Sequence, residues 1–299
     1  MAIITMKDYL GYINNVYKLQ EYTVSLQTNR YNSLDTRNSF FGTVNGVLNV
    51  YNIALSTSIS ATWMEEVDFK KKCRPEYNQV FDILNQVTFN RPRDLYRFFA
   101  ILRANVITGT WVAFESSLTA IFMKIAETTE VKQLEQKNLE RILKRIEKMS
   151  ISEDTIEQIK QDSQIIKTLT NKHISLPDKI NLVIKKFKNS YPTDRNLKKD
   201  KTFLDFYGFT RNTTHSNGVS FATREFDTNI GLFKVKENSA VNYVTPENTL
   251  IMVKELIDIY KAFIDLIDSD DIIIDRSISH MYWLLDVEDV DTDGEEDGE

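Results

Sequence analysis

The sequence predicts an all-α protein, a helical bundle with a small β-hairpin inserted before the last long helix. Only 9 Gly and 5 Pro occur among 299 residues, which favours long regular elements. Leu, Ile, Lys, Glu and Gln recur in extended stretches with helical periodicity, which favours helix over sheet. A hydrophobic share of 42% supplies enough apolar side chains for a sizeable core.

Three regions follow from these patterns. Residues 1–90 are predicted to be an N-terminal helical region with tyrosine-rich faces that can pack on the bundle, with breaks near Leu34-Asp35 and Arg74-Pro75. Residues 91–285 form the helical domain itself. Residues 286–299 carry nine acidic side chains and no basic one, which predicts a disordered acidic tail.

Two contrasting helices open the domain. From residue 92 to about 128, an apolar periodic stretch predicts a long central core helix with a bend at Gly109. Residues 132–149 are highly charged and predict an amphipathic surface helix. The apolar stripe of this second helix consists of Leu134, Leu139, Ile142, Leu143 and Ile146.

Capping residues mark the next helices. Ser152 opens a helix that is expected to run to about Thr170, and Ser175, followed by Pro177, starts a further one. The basic loop 188–201 then leads into a helix that ends near Asn217-Gly218, a pair suited to a left-handed cap.

The pattern changes after Gly218. Short alternations such as those of residues 232–235 predict a small hairpin or an irregular excursion. Thr245 and Pro246 then provide a cap and a first helical residue for the last long helix. A final short helix is expected to carry His280 and Trp283.

Charge and cysteine content restrict the class of protein. Removing the nine negative charges of the tail from a net charge of −6 leaves +3 on residues 1–285, which permits a polyanionic partner. The single cysteine, Cys73, excludes an intramolecular disulfide and a cysteine-based zinc site. The N-terminus lacks a signal-peptide pattern and no membrane span is expected, so we predict a cytoplasmic protein with no membrane contact.

One short stretch, TRNTTHSNGV at residues 210–219, places Arg211 and His215 four apart on a helix, where both side chains can reach one ligand. Arginine offers a planar fork for phosphate, and histidine moves protons near neutral pH. RNA cleavage by its own 2′-hydroxyl needs charge stabilisation at the phosphate and proton transfer, and it needs neither a metal nor another cofactor. The alternative is a histidine that only caps the helix end.

The same stretch, with the approach FLDFYGF before it and a hairpin and long helix after it, resembles the HEPN superfamily over residues 94–266. Members are helical bundles that usually dimerise, and many are metal-independent endoribonucleases of toxin–antitoxin, abortive-infection and CRISPR systems. The resemblance implies that Arg211, Asn212 and His215 are catalytic. This chain has three residues between Arg211 and His215, whereas the family usually has four to six.

Supporting roles follow from position. Thr214 and Ser216 flank the histidine, and Glu115 can join the site from the neighbouring core helix. The lysines of the basic loop are candidate RNA-binding residues: Lys198, Lys199 and Lys201. A single histidine does not readily perform both proton transfers, so a homodimer that brings two copies of the site together is expected.

The leading interpretation is an endoribonuclease that acts in defence or as a toxin, with an operon-encoded regulator or sensor as a possible partner. One alternative is a catalytically inactive HEPN-like module that binds RNA or a protein partner, and another is an unrelated helical scaffold. Neither His173 nor His280 belongs to a metal-binding pattern, and DVDTDG at 289–294 lacks the later residues of a calcium loop. No metal site is predicted.

Overall fold

The computed structural model of the protein describes residues 6–27, 31, 35–66, 92–147, 157, 174–214, 219–239, 245–267 and 273. The elements within these ranges are α1 (Met6–Leu26), α2 (Thr36–Glu66), α3 (Pro92–Ile125), α4 (Thr128–Glu147), α5 (Leu176–Phe187), α6 (Leu197–Thr214), β1 (Arg224–Thr228), β2 (Gly231–Val235) and α7 (Pro246–Ile264). The predicted fold class, all-α with a β-hairpin before the last long helix, is confirmed.

The core is organised around α3, which contacts α2, α5, α6 and α7. The helix is continuous through Gly109, where the expected bend would lie. A Cβ atom on Gly109 would lie 3.0 Å from Val47 Cγ2, so the glycine allows α2 to approach closely.

The long apolar segment of α3 is explained by the central position of this helix in the core. Among the described helices, its segment Phe98–Ile125 is long and apolar enough to cross a membrane by length and composition, contrary to the expectation that no segment would be. In that segment, 56% of the most apolar 18-residue window is buried inside the protein. Contacts with four other helices therefore account for its composition.

The two N-terminal helices share this core. α1 packs on α2 and α7, and α2 packs on α3. The ring centroid of Phe40 lies 3.9 Å from that of Tyr260 on α7, and the Tyr22 hydroxyl donates to Asp258 on the same helix. α2 begins directly after Asp35, as the predicted break near Leu34-Asp35 requires.

Two of the three predicted N-terminal capping residues, Ser175 and Thr245, are confirmed, and the third, Ser152, lies outside the described residues. The Ser175 hydroxyl caps α5 by accepting from the Asp178 backbone N–H, and the Thr245 hydroxyl caps α7 by accepting from Asn248 N–H at 3.2 Å. A proline follows each cap within the first two helical positions, where its missing N–H is not needed.

The amphipathic helix α4 starts at Thr128, before the expected residue 132. Its partly buried Val131 and Leu134 pack against the core. Arg141 Nη1 donates to Asp178 Oδ2 at 2.8 Å, which ties the polar side of α4 to the first turn of α5.

The hairpin lies on α6, which contacts β1. Its strands are antiparallel, with Arg224 opposite Val235 and Thr228 opposite Gly231. The Phe233 ring stacks on Phe206 of α6 with centroids 4.1 Å apart and planes 14° apart. The hairpin thereby becomes one wall beside α6.

Several predictions lie outside the described residues and stay predictions. These concern the break at Arg74-Pro75, Cys73, the helix from Ser152 to Thr170 apart from residue 157, the short helix with His280 and Trp283, and the acidic tail 286–299.

Candidate functional site

A cleft of about 580 Å³ lies between α3, the first turn of α5, α6 and β1. Three residues selected from the sequence, Arg211, Asn212 and Glu115, line it together. The remaining lining residues are Trp111, Leu176, Pro177, Ile180, Leu204, Asp205, Gly208, Phe209, Arg224 and Phe226. Its volume falls within the usual range for small-molecule sites.

Arg211 and Asn212 form a joined polar pair in the last turn of α6. Arg211 Nη1 donates to Asn212 Oδ1 at 3.0 Å, with Arg211 partly buried and Asn212 exposed. The bond uses the amide oxygen of Asn212, so its N–H groups are left to donate to a ligand. The pair can offer several donors to one phosphate group.

A close contact between α3 and α6 is made by Trp111 and Gly208, which also line the cleft. A Cβ atom on Gly208 would lie 3.0 Å from Trp111 Cζ2, so only glycine lets the indole lie directly on α6. The same indole stacks on Tyr207, with ring centroids 5.5 Å apart. Glu115 is one helical turn beyond Trp111, and Asn212 is one turn beyond Gly208.

Lys179 of α5 provides a positive charge near Glu115. Its Nζ donates to Thr119 Oγ1 of α3 at 2.9 Å. Burial lowers the pKa of Lys179 from its ordinary value, and the negative charge of Glu115 opposes that shift. An electrostatic link therefore connects Glu115 to the α5 wall of the cleft.

Two further charged residues, Asp205 and Arg224, line the cleft and were not selected from the sequence. The Arg224 guanidinium carbon lies 5.4 Å from the Phe209 ring centroid. Burial raises the pKa of Asp205, against the opposing effect of the positive charges of Lys201 and Arg224. Asp205 could have been found by its spacing, since it lies two helical turns before Asn212.

The three lysines predicted as RNA-binding residues occupy the first turns of α6 and not a loop. Asn196 Oδ1 accepts from the backbone N–H groups of Lys198 and Lys199 at 3.1 and 3.2 Å. It thereby caps a helix that starts at Leu197, earlier than the predicted loop 188–201 allows. Lys199 pairs with Asp227 at 3.1 Å, and none of the three lines the cleft.

His215, Ser216 and the cap pair Asn217-Gly218 lie outside the described residues, and of Thr214 only the backbone is described. His215 follows directly in sequence after α6, the helix that carries Arg211 and Asn212. The predicted roles of His215, Thr214 and Ser216 stay predictions.

A second Thr-Arg-Asn tripeptide, at residues 36–38, has an arginine with a different structural role. Arg37 is fully buried, its Nη2 lies 2.7 Å from Asp35 Oδ2, and its guanidinium carbon lies 3.9 Å from the Tyr31 ring centroid. This arginine stabilises the start of α2. Arg211 lines an open cleft, so the two arginines differ in environment although their flanking sequences agree.

Among the described residues, no group of three or more His, Cys, Asp or Glu side chains is arranged to hold a metal ion. No protein-family model matches the chain, and comparisons with curated proteins and with solved structures find no significant match. The resemblance to the HEPN superfamily therefore rests on the motif around Arg211 and the order of elements around it.

Proposed function

We propose that the chain is a HEPN-like, metal-independent endoribonuclease. The observation that supports this most directly is the convergence of Arg211 and Asn212 of α6 with Glu115 of α3 in one cleft. The sequence predicts all three residues from their chemistry and position, without reference to the packing of α3 on α6. A cleft that holds a phosphate-binding fork and a carboxylate suits phosphodiester chemistry.

In the proposed reaction, the 2′-oxygen of one ribose attacks the adjacent phosphorus, and the bond from phosphorus to the 5′-oxygen breaks. The products carry a 2′,3′-cyclic phosphate and a 5′-hydroxyl. Arg211 binds the non-bridging oxygens and offsets the negative charge that develops on them. Asn212 holds the guanidinium through its amide oxygen and can donate to the same phosphate.

Two proton transfers accompany this reaction. His215 removes the proton from the 2′-hydroxyl or delivers one to the leaving 5′-oxygen, because imidazole exchanges protons near neutral pH. A homodimer that brings two copies of the site together supplies a second histidine for the other transfer. Glu115 is a second candidate for that transfer, since it lines the same cleft.

The cellular role that fits this chemistry is RNA cleavage in the cytoplasm, as a defence effector or a toxin under the control of an operon-encoded regulator. Lys198 and Lys201 on α6 can attract the RNA backbone, whereas Lys199 is already paired with Asp227. No cofactor has a part in the proposed reaction.

A catalytically inactive binding module is the second candidate, and the charge balance of the cleft favours it. Arg211 and Arg224 are matched by Glu115 and Asp205 among the lining residues. Surfaces that bind RNA through its backbone usually carry an excess of Lys and Arg. Such a cleft can bind a polar ligand without cleaving it.

The experiment that tests the proposal is RNA cleavage in EDTA. Purified wild-type protein is incubated with a mixed tRNA and mRNA pool beside His215→Ala, Arg211→Ala and Arg211→Lys. We expect Arg211→Ala to lower kcat on the order of 100-fold or more, as the loss of one transition-state donor does. Arg211→Lys keeps the charge but loses the fork, and it should restore only part of the rate.

The control variant is Lys234→Ala, which removes one positive charge from an exposed ion pair on β2, with the lysine side chain 62% exposed. It should cleave like wild type. Cyclic phosphate ends from wild type and the control alone support the nuclease. Activity that survives both His215→Ala and Arg211→Ala would place the reaction elsewhere, and cleavage by none of the proteins would favour the binding module.

A further inference from the structure

The cleft has two polar ends along α6. Arg211 and Asn212 lie at one end, and Asp205 lies six to seven residues earlier on the same helix. At the rise of an α-helix, that separation is about 10 Å along the axis. Arg224 of β1 carries a positive charge near the Asp205 end, where it opposes the burial that raises the pKa of that carboxyl.

An apolar wall connects the two ends. Trp111 lies against Gly208, which is one turn after Asp205 and one turn before Asn212. Phe209 packs on Phe226 of β1, with ring centroids 5.6 Å apart, and the Arg224 guanidinium lies over the Phe209 ring. Trp111 and Phe226 are buried, so the partly buried Phe209 ring and the exposed Arg224 guanidinium are the surfaces of this wall on which an unpaired base can stack.

The Asp205 carboxylate is available to a ligand. Among the residues that the structure describes, none forms a hydrogen bond or an ion pair with it, and the charges that act on it are those of Lys201 and Arg224. An ionised carboxylate only accepts hydrogen bonds, so its natural partners are adjacent N–H donors.

We infer that the cleft binds one nucleotide lengthwise along α6 and that Asp205 selects guanine as its base. The phosphate lies at the Arg211–Asn212 end, the base lies against the aromatic wall, and the carboxylate accepts from the ring N–H and the exocyclic amino group of guanine. This inference rests on the proposed function, because it assigns the base at the cleavage position.

Guanine is favoured over the other bases by its donor pattern. Its Watson–Crick edge presents two adjacent donors, which match the two oxygens of a carboxylate. Adenine and cytosine present an amino donor next to an acceptor nitrogen, and uracil presents one N–H between two carbonyl oxygens that a carboxylate repels. A matched bidentate contact is therefore specific to guanine.

The test is calorimetric titration of the wild-type chain with 3′-GMP, 3′-AMP, 3′-CMP and 3′-UMP, none of which contains a phosphodiester that can be cleaved. We expect 3′-GMP to bind roughly tenfold or more tightly than the other three, which is the discrimination typical of one bidentate contact. Introducing Asp205→Asn should abolish this preference, because an amide presents only one acceptor and adds donors that face those of guanine.

Glu225→Gln is the matched control, since it also converts a carboxylate to an amide, on an exposed residue of β1 that pairs with Lys234. It should keep the guanine preference. Equal affinities for all four nucleotides, undetectable binding included, would overturn the inference, as would a preference that Asp205→Asn leaves intact. Guanine preference without RNA cleavage by wild type overturns only the nuclease, and cleavage without base preference overturns only the base assignment.

Discussion

Asp178 shows at the residue scale how the α5 wall of the cleft is held in place. Its carboxylate accepts from Arg141 Nη1 at 2.8 Å and from the Ser175 hydroxyl at 2.6 Å. Burial alone raises its pKa, but the hydrogen bonds from Arg141 and Ser175 outweigh burial and hold the pKa below its ordinary value. Asp178 does not line the cleft, but it is adjacent in sequence to Pro177, which does.

A depressed pKa in the folded state makes this carboxylate a source of acid sensitivity. Its stabilising contribution is present above the unfolded pKa of about 4 and is lost as pH falls through the lower folded pKa. We therefore expect Asp178→Asn to lower the free energy of unfolding at pH 7 and to reduce the loss of stability between pH 7 and pH 3. Urea unfolding at the two pH values measures both effects.

The exposed Asp194 supplies the comparison, because Asp194→Asn makes the same chemical change on the surface. It should leave the pH dependence near that of wild type. An Asp178→Asn variant with an undiminished difference between the two pH values would show that the Arg141 and Ser175 contacts do not hold the carboxylate in its charged form.

At the element scale, the contact between α3 and α6 is made by two residues that line the cleft, Trp111 and Gly208. The indole of Trp111 lies where a side chain at Gly208 would stand, and Thr110 and Tyr207 share a buried hydrogen bond of 2.6 Å beside it. The Gly208–Trp111 contact and the Thr110–Tyr207 hydrogen bond mark the point where the two helices approach, and Glu115 and Asn212 are each one turn from that point.

Gly208→Ala tests this contact. The added Cβ would lie 3.0 Å from Trp111 Cζ2, so the indole or the helix must shift. We expect a loss of about 1–3 kcal/mol in unfolding free energy, the usual cost of overpacking. The midpoint of thermal or urea unfolding measures the change.

Gly46→Ala is the control within another helix. Gly46 is exposed on α2 and a Cβ there would meet nothing within 4 Å. Alanine should stabilise the protein by about 0.5–1 kcal/mol through its higher helix propensity. We expect the changes in unfolding free energy of the two variants to have opposite signs. Stabilisation by both would mean that Trp111 can move to accommodate the added Cβ without loss of stability.

At the scale of the whole molecule, a polar cluster around Asp200 joins α6, the hairpin and α7. Asp200 of α6 is fully buried and accepts from Arg195 Nε at 2.9 Å, from the Tyr191 hydroxyl at 2.6 Å and from Asn229 in the hairpin turn. Arg195 also pairs with Glu255 of α7 at 2.7 Å. The cluster holds the hairpin, and with it Arg224, on α6.

Asp200→Asn should therefore loosen the hairpin as well as destabilise the fold. It removes one charge of a buried network, which leaves Arg195 with Glu255 alone and costs about 3 kcal/mol. We expect faster hydrogen exchange of the β1 and β2 amides relative to those of α3. Chemical denaturation and exchange measured by mass spectrometry check the two effects.

Asp227→Asn separates this effect from that of the exposed ion pair between α6 and the hairpin. Asp227 pairs with Lys199 at 3.1 Å, but its side chain is 68% exposed. Exposed pairs contribute at most about 1 kcal/mol, so exchange in the hairpin should stay near wild type. Equal exchange in both variants would assign the hairpin's position to apolar packing with Phe206 and not to the Asp200 cluster.

Local signals determined much of the fold. The caps at Ser175 and Thr245 each use the next few backbone N–H groups, so the residues themselves specify where α5 and α7 begin. The hairpin was predicted from the alternation of residues 232–235, which lie on β2. The structure starts α6 at Leu197, inside the stretch 188–201 predicted as a loop, because Asn196 caps the helix just before its run of lysines.

The sequence by itself determined the helical class, the capped starts of two helices, and the spacing that places Arg211 and Asn212 on one helix. Only the tertiary structure decided that Glu115 and Arg224, from α3 and β1, share a cleft with them. The reason is physical: helix and cap signals act over a few residues, whereas the cleft depends on packing between distant segments. The tripeptide Thr-Arg-Asn occurs twice, and its arginine is buried at position 37 but lines the cleft at position 211. The environments differ because different segments of the chain pack around the two arginines.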